Sequence, residues 1–144
     1  VPAECFAKRW DVLINCLGEG TLGRAHLFKG NSDIYAVDQH MSICRGATVG
    51  VGSYLYQAVA SPKGQEAIES LKTGSTGMTM LNISKLRDFN VLWPGSGLVE
   101  AYFQIVEAVW DRVANNEQQS LTLASLRDTL LPKLISGEIR VANS

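Results

Sequence analysis

The sequence has almost no excess charge of either sign. Thirteen Lys and Arg stand against fourteen Asp and Glu, a formal net charge of −1. That excludes a generally basic nucleic-acid binder, though not a local basic patch or a DNA reader working beside basic partner subunits. Cysteine is scarce as well. Cys5, Cys16 and Cys44 are odd in number and show no CxxC spacing, so we read them as reduced thiols of a cytoplasmic protein with no metal site implied. The histidines, His26 and His40, lie apart in the chain with no ligand set at metal-binding spacing. No apolar run is long enough to span a bilayer, and no secretory signal is expected. Ser53, Ser61 and Ser75 lack an elbow sequence such as GxSxG. Walker A, methyltransferase and nuclease motifs are missing too, and Asp33, Asp38, Glu66 and Glu69 read as surface carboxylates. On its own chemistry the chain reads as a binder and not an enzyme.

What is present is a long periodic stretch at the end. Across Pro94–Gly137, residues Leu98, Tyr102, Ile105, Val109, Arg112, Asn116, Gln119, Leu123, Leu126 and Leu130 alternate at spacings of four and three. That is a coiled-coil period, and such a stripe must face another helix along its length. At ~1.5 Å per residue, a helix over 98–131 would run about 50 Å. A domain built from the remaining residues would be roughly 30–35 Å across, so the helix is expected to project and to need a partner. Arg112, Asn116 and Gln119 make the centre of the stripe polar, a device that fixes register and orientation. Gly95 and Ser96 supply a turn and caps ahead of it, and Lys133 precedes Gly137 at its end. Pro132 lacks a backbone donor and is expected to kink or end the helix.

The first two thirds carry short strand signals: Trp10–Leu17, Arg24–Phe28, Ile34–Val37 and Met41–Cys44. Ser53–Ala60 looks helical, and Ser61-Pro62 has the capping chemistry of a second helix. A polar, glycine-containing loop follows at Thr73–Met80. A short helix capped by Ser84 and a last strand, Asn90–Trp93, lead into Pro94. Strands precede helices, so the expected class is α+β: a small β-rich domain followed by one long coiled-coil-type helix. The expected domains are 1–95 and 96–144.

The loop between the first strands, Gly18-Glu-Gly-Thr-Leu-Gly23, formally matches GxGxxG. A dinucleotide site needs a helix after that loop, whereas Arg24–Phe28 is β-prone, so a glycine-rich hairpin turn is the simpler reading. A third possibility is a loop that brings backbone and Arg24 against a phosphate or base. Thr21, Arg24, Lys72, Ser75, Thr76 and Thr79 lie on polar loops of the kind that meet DNA, where Arg grips guanine edges or phosphates and hydroxyls grip phosphates.

Four segments, in order, resemble one family. LRDTLLPKLISGEIRV (126–141) closely resembles the closing segment of type I restriction–modification specificity subunits, usually called HsdS. DVLINCLGEGTLGR (11–24), VDQHMSICRG (37–46) and TGSTGMTMLNISKLRDFNVLWPG (73–95) are similar to stretches of that family's target recognition domains. The resemblance implies a recognition domain reading one half of a bipartite double-stranded DNA target. It also implies a conserved spacer helix that docks methyltransferase subunits and, through them, the restriction subunit. The family's specificity subunit is not catalytic and holds no cofactor. S-adenosylmethionine, ATP and Mg belong to its partner subunits.

A longer N-terminal part and a first recognition domain, usual in the family, are not in this sequence, so we expect a C-terminal piece. The expected DNA-facing set is Thr21, Arg24, Lys72, Ser75, Thr76 and Thr79. The expected helix-pairing set is Leu98, Tyr102, Ile105, Val109, Asn116, Leu123, Leu126 and Leu130, which would self-pair in an antiparallel homodimer. The rivals are a dimerising adaptor that binds no DNA and a nucleotide-binding fragment using Gly18–Gly23.

Overall fold

A computed structural model of the chain describes residues 2–74 and 79–140. The class is α+β: a small antiparallel sheet region, short helices and one long C-terminal helix. The chain divides into two compact units, Val1–Glu107 and Ala108–Ser144.

The first unit is built on three short strands. β1 (Val12–Asn15) lies between β2 (Ala25–Leu27) and β3 (Met41–Cys44), both antiparallel to it. The register pairs Val12 with Leu27 on one side and with Cys44 on the other. β1 is the central strand, and its apolar run is buried on both faces: Val12 and Ile14 are fully covered and Leu13 nearly so. Helix α1 (Val49–Ala60) packs against β1 and β2. Thr48 caps it by accepting from the Val51 N–H at 3.3 Å. A Cβ at Gly52 would run into the Trp10 carbonyl, so only glycine lets α1 lie this close to the start of β1.

Helix α2 (Pro62–Ser70) begins as expected, with Ser61 at its cap and Pro62 in its first turn. Strands β4 (Lys72–Thr73) and β5 (Met80–Leu81) form a two-stranded hairpin, and α3 (Ile83–Arg87) follows. The cap of α3 is Asn82, accepting from Lys85 N–H at 3.1 Å, and not Ser84. Ile68, Leu81 and Leu86 complete the core.

Two anticipated strands are not formed. Ile34 lies in a turn beside Asp33, which adopts a φ of 61°, and only Ala36 makes a bridge, to Phe6. Residues 90–93 have no regular structure; the Leu92 carbonyl is taken instead by the Tyr54 hydroxyl.

Helix α4 spans Ser96–Ile135. Pro132 lies inside it and does not end it; the Ser136 N–H still reaches the Pro132 carbonyl at 2.9 Å. Within the first unit, α4 buries Val99 and Phe103, and Phe103 meets the Trp10 ring edge-on at 5.0 Å. On a helix advancing about 100° per residue, that face lies roughly a third of a turn from the stripe through Leu98, Ile105 and Val109. Leu98 and Ile105 are exposed, at 63% and 75%. The sequence pattern identified one apolar stripe; the helix has two.

The second unit contains the rest of α4. Val109, Leu121, Leu123, Leu126, Leu130, Leu131, Leu134 and Ile135 are all exposed along it. Hydroxyls of Ser120, Thr122 and Thr129 donate to carbonyls one turn earlier. Among the described residues no helix is long and apolar enough to cross a membrane.

Candidate nucleic-acid interface

β1 runs from a clamped end to an open one. At its start, Asp11 is almost fully buried, 2% exposed. Arg45, just past β3, grips it with two bonds, Nε to Oδ1 at 2.9 Å and Nη2 to Oδ2 at 2.7 Å. The Lys8 N–H donates to the same carboxylate at 2.7 Å, and Arg45 also reaches the Phe6 carbonyl. The hydrogen bond to Asp11 pushes the Arg45 guanidinium further above its already high range. This clip ties the N-terminal segment, β1 and β3 together, and it is structural. Sequence reasoning assigned Asp11 and Arg45 no role, because 34 residues separate the partners.

At the other end of β1 the glycine loop turns the chain back into β2. Gly18, Gly20 and Gly23 have φ of 102°, 76° and 82°, which side chains rarely adopt. A Cβ on Gly23 would stand 2.6 Å from Ile68 Cγ2, so the loop's second leg lies directly on α2. Gln65 Nε2 adds a bond to the Gly23 carbonyl at 3.3 Å. The loop therefore is a hairpin connection. A strand follows it, so no helix start faces a phosphate there, and the GxGxxG match lacks the part that makes a dinucleotide site.

The β4–β5 hairpin lies beside this loop. Leu17 bridges to Met80, and the Leu81 N–H donates to the Cys16 carbonyl at 3.0 Å. The glycine loop that carries Thr21 therefore leaves β1 next to the hairpin that carries Lys72, although the two are far apart in sequence. Arg24 is exposed, and its guanidinium has no ion-pair partner among the described residues. Thr21 is exposed, but its Oγ1 is already engaged by Asn15 Nδ2 at 2.9 Å. Lys72 is paired with Glu69 one turn earlier, so a phosphate would compete with that carboxylate for it. Thr79 is half-buried. Ser75 and Thr76 lie outside the described residues. Glu19, which sequence reasoning passed over, is exposed at the loop tip beside Gly20. A carboxylate there disfavours phosphate and suits a base-edge amine.

The helix-pairing residues divide by position. Tyr102 is half-buried within the first unit, where its ring meets Tyr54. Leu98, Ile105, Val109, Asn116, Leu123, Leu126 and Leu130 are exposed in the single chain.

No family model matches the sequence. Two curated proteins are similar to part of it. Over 77 residues it is 31% identical to the Type I restriction enzyme MjaIX specificity subunit of Methanocaldococcus jannaschii, covering 54% of this chain and 17% of that one. Over 86 residues it is 26% identical to the Type I restriction enzyme HindI specificity subunit of Haemophilus influenzae, covering 60% of this chain and 19% of that one. The chain spans less than a fifth of the length of either relative.

Proposed function

We propose that this chain is part of a type I specificity subunit that recognises double-stranded DNA through the paired glycine loop and β4–β5 hairpin. The observation that carries the reading is the Leu17–Met80 bridge, which sets the start of the glycine loop against β5. Similarity to two named specificity subunits over about half of the chain supports it. In this reading residues 1–95 are the recognition part and read one half of a bipartite target. Arg24 makes the main side-chain contact, and Thr21, Lys72, Ser75, Thr76 and Thr79 add polar contacts. Residues 96–144 are the spacer, whose exposed apolar seam docks methyltransferase subunits or a second copy of the chain, antiparallel. The chain itself is non-catalytic and cytoplasmic. S-adenosylmethionine, ATP and Mg act on its partner subunits.

The balanced charge fits this division of labour. A loop whose Arg24 and Glu19 make no ion pair among the described residues adds little non-specific affinity, which comes mainly from phosphate neutralisation. Basic partner subunits would supply that attraction, and the loops would discriminate. Arg24→Ala in an assembled methyltransferase complex is expected to lower modification at one half-site and leave assembly intact. Unchanged methylation would remove Arg24 from the interface. The exposed seam alone also fits a dimerising adaptor without DNA; capture of a type I methyltransferase subunit by the chain separates the two.

A further inference from the structure

Three glycines at positive φ would by themselves make the 18–23 loop loose. Gln65 ties its second leg to α2, and one side chain from β1 ties its first leg to its turn. Asn15 Nδ2 donates to the Leu17 carbonyl at 2.8 Å and to Thr21 Oγ1 at 2.9 Å, and Oδ1 accepts from the Leu17 N–H at 3.4 Å. The Asn15 backbone is engaged too: its N–H donates to Arg24 O at 3.0 Å and its carbonyl accepts from Gly23 N–H at 2.8 Å. All the polar groups of this one residue act on the loop's two legs. Aspartate would keep the acceptor but lose both donors, and alanine would lose all of the side-chain bonds while sparing the backbone ones.

We propose that Asn15 is the positioning residue of the recognition loop: before DNA arrives its side chain holds Thr21, and with it the Glu19–Gly20 tip and the Thr21 carbonyl to which the Arg24 N–H donates at 3.1 Å. This rests on the DNA reading given above. The physical gain is preorganisation: a loop already ordered loses less conformational freedom on binding, so the contacts it makes show up as affinity and selectivity. Thr21 serves the clamp as the hydroxyl that receives Asn15, which explains why its Oγ1 faces inward although the residue is exposed.

The test has two arms. The first needs no DNA: amide hydrogen exchange on the 144-residue chain. Asn15→Ala, Asn15→Asp and Thr21→Val are each expected to speed exchange at Leu22, Gly23 and Arg24 roughly fivefold to tenfold. Exchange at Ile14 and Ile43 should stay the same. Thr21→Val removes one hydroxyl from a residue that is exposed overall, so it keeps the arm informative if an Asn15 variant fails to fold. Unchanged loop exchange in every folded variant would overturn the clamp.

The second arm measures binding of a randomised duplex DNA library by the chain assembled with a methyltransferase subunit. Arg24→Ala should cost about tenfold in affinity for the selected sequences, but less than about threefold in the Asn15→Ala background, because a displaced arginine has little left to lose. Equal losses in both backgrounds would show that Asn15 does not position Arg24. No loss from Arg24→Ala in either background would overturn the DNA reading and the recognition role of Asn15, while the exchange arm would still judge the clamp.

Discussion

Asp11 holds a full carboxylate at a site almost closed to water, and Arg45, only 37% exposed, covers it. Removing one partner of such a pair leaves the other desolvated and uncompensated. Asp11→Asn should therefore lower the stability of the first unit by about 2–3 kcal/mol in urea unfolding, less than for a fully buried pair because the Arg45 head meets some solvent. Cys44 works in the opposite direction. Burial, then the neighbouring Cys16 and Asp11, raise its thiol above the ordinary value of 9.0. A raised folded-state value means the native protein holds that proton more tightly. The resulting stability is complete below pH 9 and is lost as pH climbs beyond it. Cys44→Ser should flatten that alkaline loss in pH-dependent melting. The loop that carries Thr21 and Arg24 was legible from sequence, since its glycines announce it. Asn15, Asp11 and Arg45 were not. Their roles depend on partners that only strand pairing brings into reach, and a lone Asn ending a strand looks like any turn residue.

Among elements, α4 shows most clearly what a pattern can and cannot give. Its helical state, start and approximate end follow from spacing and from the glycines around it. Its second apolar face does not, because a search for one stripe ends once a heptad is found. Val99 and Phe103 face Trp10 and α1, whereas Leu123 and Leu126 remain uncovered. The two faces predict separable outcomes. Phe103→Ala should cost the first unit about 3–5 kcal/mol and leave self-association unchanged in sedimentation. Leu123→Asp with Leu126→Asp should abolish association at micromolar concentration and leave the first unit's melting unchanged, since charge cannot be buried in an apolar seam. A chain that is already monomeric at that concentration would contradict the self-pairing. The strands that failed to form had the right residue types, but 34–37 gains only the single Ala36–Phe6 bridge and 90–93 has no strand paired with it among the described residues. Alternation marks a segment that suits a sheet, and the sheet still has to supply a partner with free backbone groups.

For the whole molecule, the two units differ in kind: a small sheet region with the glycine loop and the β4–β5 hairpin at one end of β1, and a stretch of helix whose leucines at 121, 123, 126 and 130 are exposed. Both fit a subunit that reads DNA within a larger assembly, and nearly neutral charge fits a reader that leaves non-specific attraction to its partners. The most direct measurement is selection from a randomised duplex DNA library by the chain assembled with a type I methyltransferase subunit, scored against the same complex carrying Arg24→Ala. The account predicts enrichment of one short half-site, with the variant losing discrimination at a single base pair by about 1–3 kcal/mol and keeping its assembly. Equal selection by both complexes, or no enrichment by either, would contradict it.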